Sequence, residues 1–101
     1  PDGTVFTVSG SGGSNTAELW NSTTGWRRLT GVDWEAVTSQ PGYITRWHPF
    51  LMLAPNGKLF HFGPTDQMNW VNTAGSGSRV PSGQNVPGTQ YPKEGAWAMY
   101  D

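Results

Sequence analysis

The 101-residue sequence predicts an all-β fold, and three observations support this prediction. Short runs of β-branched and aromatic residues alternate along the chain with turn signals rich in Gly, Pro and Asn. Fourteen glycines and eight prolines accompany a charged fraction of only 13%, which is not a helical composition. One strand-and-turn segment also occurs twice. We therefore expect small antiparallel sheets built from short strands.

The first half of the chain contains three predicted strands, at residues 4–8, 17–20 and 25–29. A turn signal at residues 1–3 opens the first of them. Residues 30–42 are expected to form a connection, with Trp34 inside it. Their one helical option, at residues 33–37, is stopped by a Pro-Gly pair and is too short to anchor a fold.

The second half of the chain follows the same order. Residues 49–53 and 58–62 flank a Pro-Asn-Gly turn and are predicted to pair as a β-hairpin. Another strand is expected at residues 67–72. Residues 74–94 are rich in Gly, Ser and Pro and show no credible element, and such loops are usually functional or long surface excursions. A new strand is expected to begin at residue 95.

An internal repeat gives the architecture. Residues 1–6 match residues 55–60 at an offset of 54, and residues 20–23 match residues 70–73 at an offset of 50. A period of about 50 residues made of short antiparallel strands is typical of kelch β-propellers. The sequence therefore predicts two consecutive four-stranded antiparallel blades of a kelch-type β-propeller. Their expected limits are 1–47 and 48–94, with 95–101 starting the next blade.

Charge and cysteine content exclude several classes of function. Six Lys and Arg against seven Asp and Glu give a net charge of −1, which lacks the basic surface that nucleic-acid binding needs. No apolar run approaches the length of a membrane-spanning helix, and no signal peptide is expected in this chain. The absence of cysteine excludes disulfides and Cys-ligated metals. The low charge favours an extracellular β-protein.

A family resemblance rests on the second half of the chain. Residues 48–64 read HPFLMLAPNGKLFHFGP and lead into Met-Asn-Trp at 68–70 and Thr-Ala-Gly-Ser-Gly at 73–77. This stretch resembles, without gaps, a blade of the galactose oxidase and glyoxal oxidase family of kelch β-propellers. The resemblance covers nearly all of the chain, and residues 63–77 are its specific part.

The resemblance implies a secreted copper enzyme with a seven-bladed propeller, often joined to a further all-β domain. In the family two tyrosines and two histidines hold copper, and one tyrosine is cross-linked to a cysteine. The resulting radical oxidises an alcohol or aldehyde with O₂ and yields peroxide. The cross-linked tyrosine would precede Pro1 here, and the sequence has no cysteine. We therefore expect no copper ligand and no catalytic residue in this chain, and copper only in complete family members.

Four residues are candidates for substrate binding. Tyr43 matches the tyrosine of a family Tyr-Arg pair whose arginine contacts substrate, but Ile44 stands in the place of that arginine. Arg46 follows two positions later and could reach the same rim, although strand alternation puts Ile44 and Arg46 on one face. Trp34 and Trp47 lie in or beside loops and are candidates for an exposed face on which a carbohydrate stacks.

The remaining aromatic and imidazole side chains favour a packing role. Trp26 stands where the family has an aromatic that closes the blade, and strand positions favour packing between blades for Trp20, Trp70 and Trp97. His48 and His61 fall in blade strands, and two histidines without further donors are weak evidence for a metal site. The adjacent Arg27 and Arg28 are expected to point to opposite faces of a strand.

Two hypotheses for the chain follow. In the first, it is a structural segment of a larger propeller, whose partners are the remaining blades. The complete protein is then a secreted oxidase of alcohols, aldehydes or sugars, or a carbohydrate-binding relative without copper chemistry. In the second, the chain is a short structural protein whose copies assemble into a ring or filament through open blade edges. A well-behaved monomer would contradict both hypotheses.

Overall fold

The computed structural model describes residues 2–8, 16–34, 39–40, 43–44, 49–63, 67–85 and 98. In these segments the regular structure is entirely β, as the sequence predicts. They contain no helix with the length and apolar character that crossing a bilayer requires. The strands are β1 (Val5–Thr7), β2 (Thr16–Asn21), β3 (Gly25–Asp33), β4 (Ser39–Gln40), β5 (Tyr43–Ile44), β6 (Leu51–Leu53), β7 (Leu59–His61), β8 (Gln67–Asn72) and β9 (Ser78–Asn85).

The first sheet is antiparallel and has the order β1-β2-β3. In its register Phe6 lies opposite Leu19, and Val5 lies opposite Trp20. Asn21 stabilises the β2–β3 turn. Its Oδ1 accepts hydrogen bonds from the Thr23 and Thr24 backbone N–H groups at 2.9 and 2.8 Å. The sequence predicted these three strands, but a fourth strand of this sheet is not among the described residues.

The second sheet is antiparallel and has the order β6-β7-β8-β9. The predicted hairpin is confirmed, because Leu53 lies opposite Leu59 across the turn at residues 55–57. Strand β8 has the predicted limits. A separate two-stranded ribbon, β4-β5, lies within and just after the region expected to be a plain connection.

One sequence interpretation is wrong in the second half. Residues 78–85 form strand β9, although the sequence predicted no element between 74 and 94. Strand β9 lacks an apolar alternation because it is a largely exposed edge strand. It also contains Pro81, which lies opposite Asn69 beside a register shift. Proline is tolerated at edges and bulges because its missing N–H breaks no central ladder.

The repeated turns have the same local structure. Asp2 Oδ1 accepts a hydrogen bond from the Thr4 backbone N–H at 2.9 Å, and Asn56 Oδ1 accepts one from the Lys58 N–H at 3.0 Å. The glycine inside each turn has a φ of 76° or 77°, a left-handed conformation that glycine adopts without steric cost. The repeat at an offset of 54 is therefore structural as well as sequential.

The second half of the repeat is shifted by one residue from the sequence alignment. Since Val5 corresponds to Leu59, their cross-strand partners Trp20 and Val71 must also correspond. The offset in β2 and β8 is thus 51, not 50. Asn72 accepts a hydrogen bond from the Ala74 N–H, and Asn21 accepts the corresponding hydrogen bond from the Thr23 N–H at its own turn. Asn21 and Asn72 are therefore equivalent, which confirms the offset of 51. A one-residue slip matters because it moves every side chain to the other face.

The core lies between the two sheets. It contains Ala17, Leu29 and Val32 of the first sheet, Trp34 directly after it, and Val71 of the second sheet. Phe6 and Leu59 pack against this cluster and are partly buried. The first sheet therefore contributes the face that carries Phe6, and the second sheet contributes the face that carries Leu59. We call these the inner faces, and the opposite faces the outer faces.

The two inner faces do not correspond to each other in the repeat. Leu59, on the inner face of the second sheet, corresponds to Val5, which lies on the outer face of the first. Phe6, on the inner face of the first sheet, corresponds to Phe60, which lies on the outer face of the second. The sheets are thus stacked front to back, so that each repeat unit faces in the same direction.

Candidate functional site

A buried polar cluster lies on the inner face of the second sheet. It joins His61 of β7, Asn69 of β8 and Arg79 of β9, and the backbones of His61 and Asn69 are directly opposite each other. His61 and Asn69 are fully buried. The Asn69 side chain takes part in three hydrogen bonds: with His61 Nδ1 at 3.2 Å, with the Gln67 carbonyl at 3.1 Å and with Arg79 Nη1 at 3.0 Å.

The hydrogen bonds fix the orientation of the Asn69 amide. Arginine can only donate, so the oxygen of the amide faces Arg79, and a carbonyl can only accept, so the Nδ2 group faces Gln67. That Nδ2 group also donates to His61 Nδ1, which must therefore be unprotonated. The neutral imidazole carries its proton on Nε2, which is buried without a hydrogen-bond partner in the described part of the chain.

The surroundings of His61 disfavour its charged form. Burial, with a smaller contribution from the positive charge of Arg79, outweighs the opposing effect of the Gly63 backbone and lowers the pKa of the imidazole from 6.5 to about 4. The Trp34 ring meets the imidazole edge to face, with centroids 5.2 Å apart. A neutral histidine with no exposed surface cannot exchange protons with a bound substrate. The predicted packing role of His61 is confirmed, and the cluster is structural.

Trp34 is not exposed, contrary to the expectation from its place in the connection. Its side chain is only 1% exposed, because it lies between the two sheets against His61 and against Phe6, 6.3 Å from that ring. Trp34 directly follows β3, and its large ring fills the space between the sheets. A carbohydrate cannot stack on Trp34 in this arrangement.

The other predicted site residues receive less structural information. Tyr43 belongs to the short strand β5, where its backbone is paired with Gln40. Arg46, Trp47 and His48 lie outside the described residues. The substrate-binding roles of Tyr43, Arg46 and Trp47 stay predictions.

The described residues do not fit a copper site. No three side chains among their histidines, aspartates and glutamates converge as metal ligands. His61 is the histidine in this set, and its Nδ1 is occupied by Asn69. Copper usually requires three or four converging donors, of which imidazole and thiolate are the strongest. The expectation of no copper ligand anywhere in the chain stays a prediction, because His48 lies outside this set.

A cleft of about 480 Å³ opens between the sheets beside the two repeated turns. Phe6, Leu19, Leu53 and Leu59 form its apolar wall. Asp2 at its rim is fully exposed, and hydrogen bonds from Thr4 lower the pKa of its carboxyl group. A solvated carboxylate at the edge of an apolar cleft does not form an acid–base pair, so the cleft offers shape without catalytic groups.

The turn between β8 and β9 connects the two sheets. The Arg27 guanidinium donates to the Thr73 and Gly75 carbonyls, and the Gly31 backbone N–H donates to the Ser76 carbonyl at 2.8 Å. The Arg28 side chain points to the other face, and its Nε atom lies 3.5 Å from Oε1 of Glu18. The predicted opposite orientation of the two arginines is confirmed. Sequence analysis did not find the contact role of Arg27, although the Thr-Ala-Gly-Ser-Gly signature marked its partner.

Gly77 of this signature has a packing function, together with Gly31 of β3. Gly77 has a φ of 78°, and a Cβ atom placed on it would lie within about 3 Å of the Val32 and Leu29 side chains. A Cβ atom on Gly31 would lie 2.1 Å from the Gly77 carbonyl oxygen. Real side chains do not tolerate such a distance. The signature therefore allows the close approach of the two sheets.

Comparisons with known proteins give one informative result. No protein-family model matches the chain, and no curated protein matches it. Among solved structures, the chain is similar to a novel fungal alcohol oxidase with catalytic diversity among the AA5 family, in complex with copper. The identity is 30% and the TM-score is 0.70, over 81% of this chain and 18% of that chain. This 101-residue chain thus has a fold related to a segment of a fungal copper alcohol oxidase, and it spans 18% of the length of that enzyme.

Proposed function

We propose that the chain forms two consecutive blades of a kelch-type β-propeller and acts as scaffold within a larger oxidase. The observation that carries this proposal is the front-to-back stacking of two equivalent sheets. Val5 and Leu59 correspond in the repeat but lie on opposite sides with respect to the core. Stacking of this kind can continue in one direction from sheet to sheet, as a propeller requires.

The similarity to the fungal alcohol oxidase supports the oxidase part of the proposal. The sequence resemblance to the galactose oxidase and glyoxal oxidase family, whose specific part is the 63–77 signature, points in the same direction. The complete protein would oxidise alcohols, aldehydes or sugars with O₂ at a copper centre. Its copper ligands would come from segments other than this chain, whose described residues do not fit a copper site.

The proposal also assigns an extracellular location to the protein and a role to each of its segments. The remaining blades are the partners of this chain, and the extracellular location follows from the family that the sequence resembles. Within the complete protein, the segment after β3 would contribute to the rim of the propeller, where Tyr43, Arg46 and Trp47 are the substrate-contact candidates.

Peroxide release tests the catalytic part. The longer protein, defined by the coding sequence that flanks Pro1 and Asp101, is expressed, loaded with copper and assayed with a primary alcohol, an aldehyde and galactose. We expect a tyrosine a few residues before Pro1 and peroxide from at least one substrate. The matched control is the 101-residue chain with the same copper concentration, which should not exceed a copper-only blank.

Two results would contradict the proposal. Turnover by the 101-residue chain itself would show that it contains catalytic groups. A longer protein without the tyrosine and without peroxide release would refute the oxidase assignment. If that protein bound a carbohydrate in a tryptophan fluorescence titration, the alternative of a non-catalytic carbohydrate-binding propeller would take its place.

A further inference from the structure

We propose that Asn21, in the turn between β2 and β3, is an N-glycosylation site whose side-chain Nδ2 atom carries an oligosaccharide. This inference rests on the extracellular location in the proposed function and on a eukaryotic secretory route. It does not depend on the copper chemistry, and it assigns a modification to a turn that the catalytic proposal leaves without a role.

The sequence around Asn21 has the acceptor pattern of N-glycosylation. The pattern is Asn, then any residue except proline, then Ser or Thr. Of the six asparagines in the chain, Asn21 alone fits it, because Ser22 and Thr23 follow. The equivalent asparagine of the repeat, Asn72, is followed two residues later by Ala74. Asparagine is also common in turns for structural reasons alone, so the pattern needs support from the structure.

The turn is accessible to solvent on the side where Asn21 lies. Residues 22–24 are exposed, and Asn21 is partly exposed. Strand alternation puts Asn21 on the same side of β2 as Ala17 and Leu19, which is the inner face. The sheet that packs against this side is the second sheet of the same chain. Asn21 is therefore exposed even though the sheet that its own side faces is in place.

The length of the turn also favours a site there. The equivalent loop in the second sheet, 73–77, has five residues and reaches the first sheet through the Thr73, Gly75 and Ser76 carbonyls. The loop between β2 and β3 has only three residues, 22–24. A loop that returns this directly to its own strand stays at the end of the sheet, from which a glycan can extend into solvent.

The hydrogen bonds of the Asn21 side chain leave its nitrogen available. Oδ1 accepts from the Thr23 and Thr24 backbone N–H groups and, at 3.0 Å, from the Thr24 hydroxyl. A backbone N–H can only donate, so the atom that faces the turn is the amide oxygen. In the described part of the chain, Nδ2 of Asn21 has no hydrogen-bond partner. This nitrogen is the atom that N-glycosylation uses.

Asn69 shows the opposite arrangement. It is fully buried, and its Nδ2 atom contacts His61 Nδ1 at 3.2 Å and the Gln67 carbonyl at 3.1 Å. A sugar on that nitrogen would break the polar cluster. The chain therefore separates two uses of an asparagine amide, one that orders buried groups through its nitrogen and one that closes a turn through its oxygen.

The transfer leaves the turn intact. The donor is an oligosaccharide joined through its anomeric carbon to a lipid diphosphate. The bond between Nδ2 and this carbon forms, and the bond between the carbon and the diphosphate oxygen breaks. The lipid diphosphate leaves with the bonding electron pair, and one of the two Nδ2 protons is released to solvent. Oδ1 takes no part, so its hydrogen bonds to the turn persist in the glycosylated protein.

Peptide mass spectrometry tests the site. The longer protein, defined by the coding sequence that flanks Pro1 and Asp101, is expressed in a eukaryotic host and treated with a glycan-releasing amidase. This enzyme converts a glycosylated asparagine to aspartate, which the tryptic peptide ending at Arg27 reports for position 21. We expect aspartate there after treatment. An unmodified Asn21 would overturn the proposal.

Two neighbouring threonines provide matched variants. Thr23→Ala destroys the acceptor pattern, but Thr23 joins the turn through its backbone N–H, so the turn should be unchanged. Thr24→Ala keeps the pattern, although it removes the hydroxyl hydrogen bond to Asn21. We expect complete loss of the glycan in Thr23→Ala, its recovery in Thr23→Ser and wild-type occupancy in Thr24→Ala. Equal occupancy in the two alanine variants would refute the assignment.

The outcome is separable from that of the catalytic test. A secreted protein that releases peroxide with an unmodified Asn21 would overturn the glycosylation site alone. A secreted protein with a glycan at Asn21 but no peroxide release would keep the site and remove the oxidase assignment. A protein that stays inside the cell with an unmodified Asn21 would contradict both the site and the extracellular location.

Discussion

Acid should destabilise this fold mainly through His61. The imidazole is neutral and fully buried, and burial with the nearby Arg79 charge lowers its pKa from 6.5 to about 4. In the unfolded chain the same group binds a proton below pH 6.5. Between these two values the unfolded state holds more protons, so the free energy of unfolding rises with pH. The contribution of the neutral His61 to the free energy of unfolding should be fully present above pH 6.5. It should decrease as the pH falls and reach its minimum below about pH 4.

The size of this effect follows from the two pKa values. At about 1.4 kcal/mol for each pH unit, the separation between 6.5 and about 4 corresponds to about 3 kcal/mol. This is a large share of the roughly 5–15 kcal/mol that stabilises a typical domain. Asp2 should add no comparable loss in this range, since it is fully exposed and its lowered pKa acts at more acidic pH.

Denaturant unfolding across this pH range is the assay, at one fixed protomer concentration so that association does not change the apparent stability. His61→Gln removes the titrating group and should give a flatter dependence of stability on pH. Asp2→Asn, at a fully exposed carboxyl group, is the control and should keep the wild-type slope between about pH 4 and 6.5. A histidine ring proton that titrates near 6.5 in NMR, assigned to His61, would refute the reasoning, as would equal slopes in wild type and His61→Gln.

The hydrogen-bond network allows an opposite perturbation. In Asn69→Asp the Nδ2 donor is lost and a carboxylate faces His61 Nδ1. Attraction to this charge favours the imidazolium, so we expect the pKa of His61 to rise above that of the wild type. Asn69→Leu removes the hydrogen bonds without adding a charge and should not raise the pKa in this way. A pKa that is the same in both variants would show that Asn69 does not control the protonation of His61.

Two further predictions concern the contact between the sheets, and both are measured by denaturant unfolding. Gly31→Ala should lower the free energy of unfolding by about 1–3 kcal/mol because the new Cβ meets the Gly77 carbonyl. The control Thr30→Ala, at the exposed neighbouring position, should change it by less than about 0.5 kcal/mol. Equal effects would contradict the close approach of the two sheets. Arg27→Ala should cost about 1–3 kcal/mol through its lost hydrogen bonds to carbonyls. Arg28→Ala, which loses an exposed ion pair, should cost less than about 1 kcal/mol, and a reversed order would refute the assigned roles.

The elements that sequence analysis predicted well are those with strong local signals. The hairpin around residues 55–57 has a turn whose Asn and Gly each have a local structural role, and the centre of strand β8 alternates between buried and half-buried positions. Strand β9 was missed because an exposed edge strand needs no apolar pattern. The repeat offset was wrong by one residue because tryptophans at 20 and 70 look equivalent in sequence, whereas cross-strand pairing makes Trp20 equivalent to Val71.

The candidate site could be predicted less well, for a physical reason. The burial of Trp34 depends on its contacts with Phe6 and with His61 of the second sheet, and neither contact is visible in local sequence. The polar cluster joins residues from three strands through a single amide, Asn69. The Met-Asn-Trp motif marked the position of this amide, but a motif does not say whether an asparagine faces a substrate or a histidine.

The roles of the signature residues limit what the family resemblance can show about activity. Asn69 orders a buried cluster, Gly77 allows close packing, and the Thr73 and Gly75 carbonyls receive Arg27. Each of these roles holds two sheets together and would be needed equally in an active oxidase and in a relative without copper. The signature therefore supports the stacking of the sheets and leaves the chemistry to residues elsewhere. This is why peroxide release and the tyrosine before Pro1 test the oxidase assignment, whereas unfolding of the Gly31 and Arg27 variants tests the contact between the sheets.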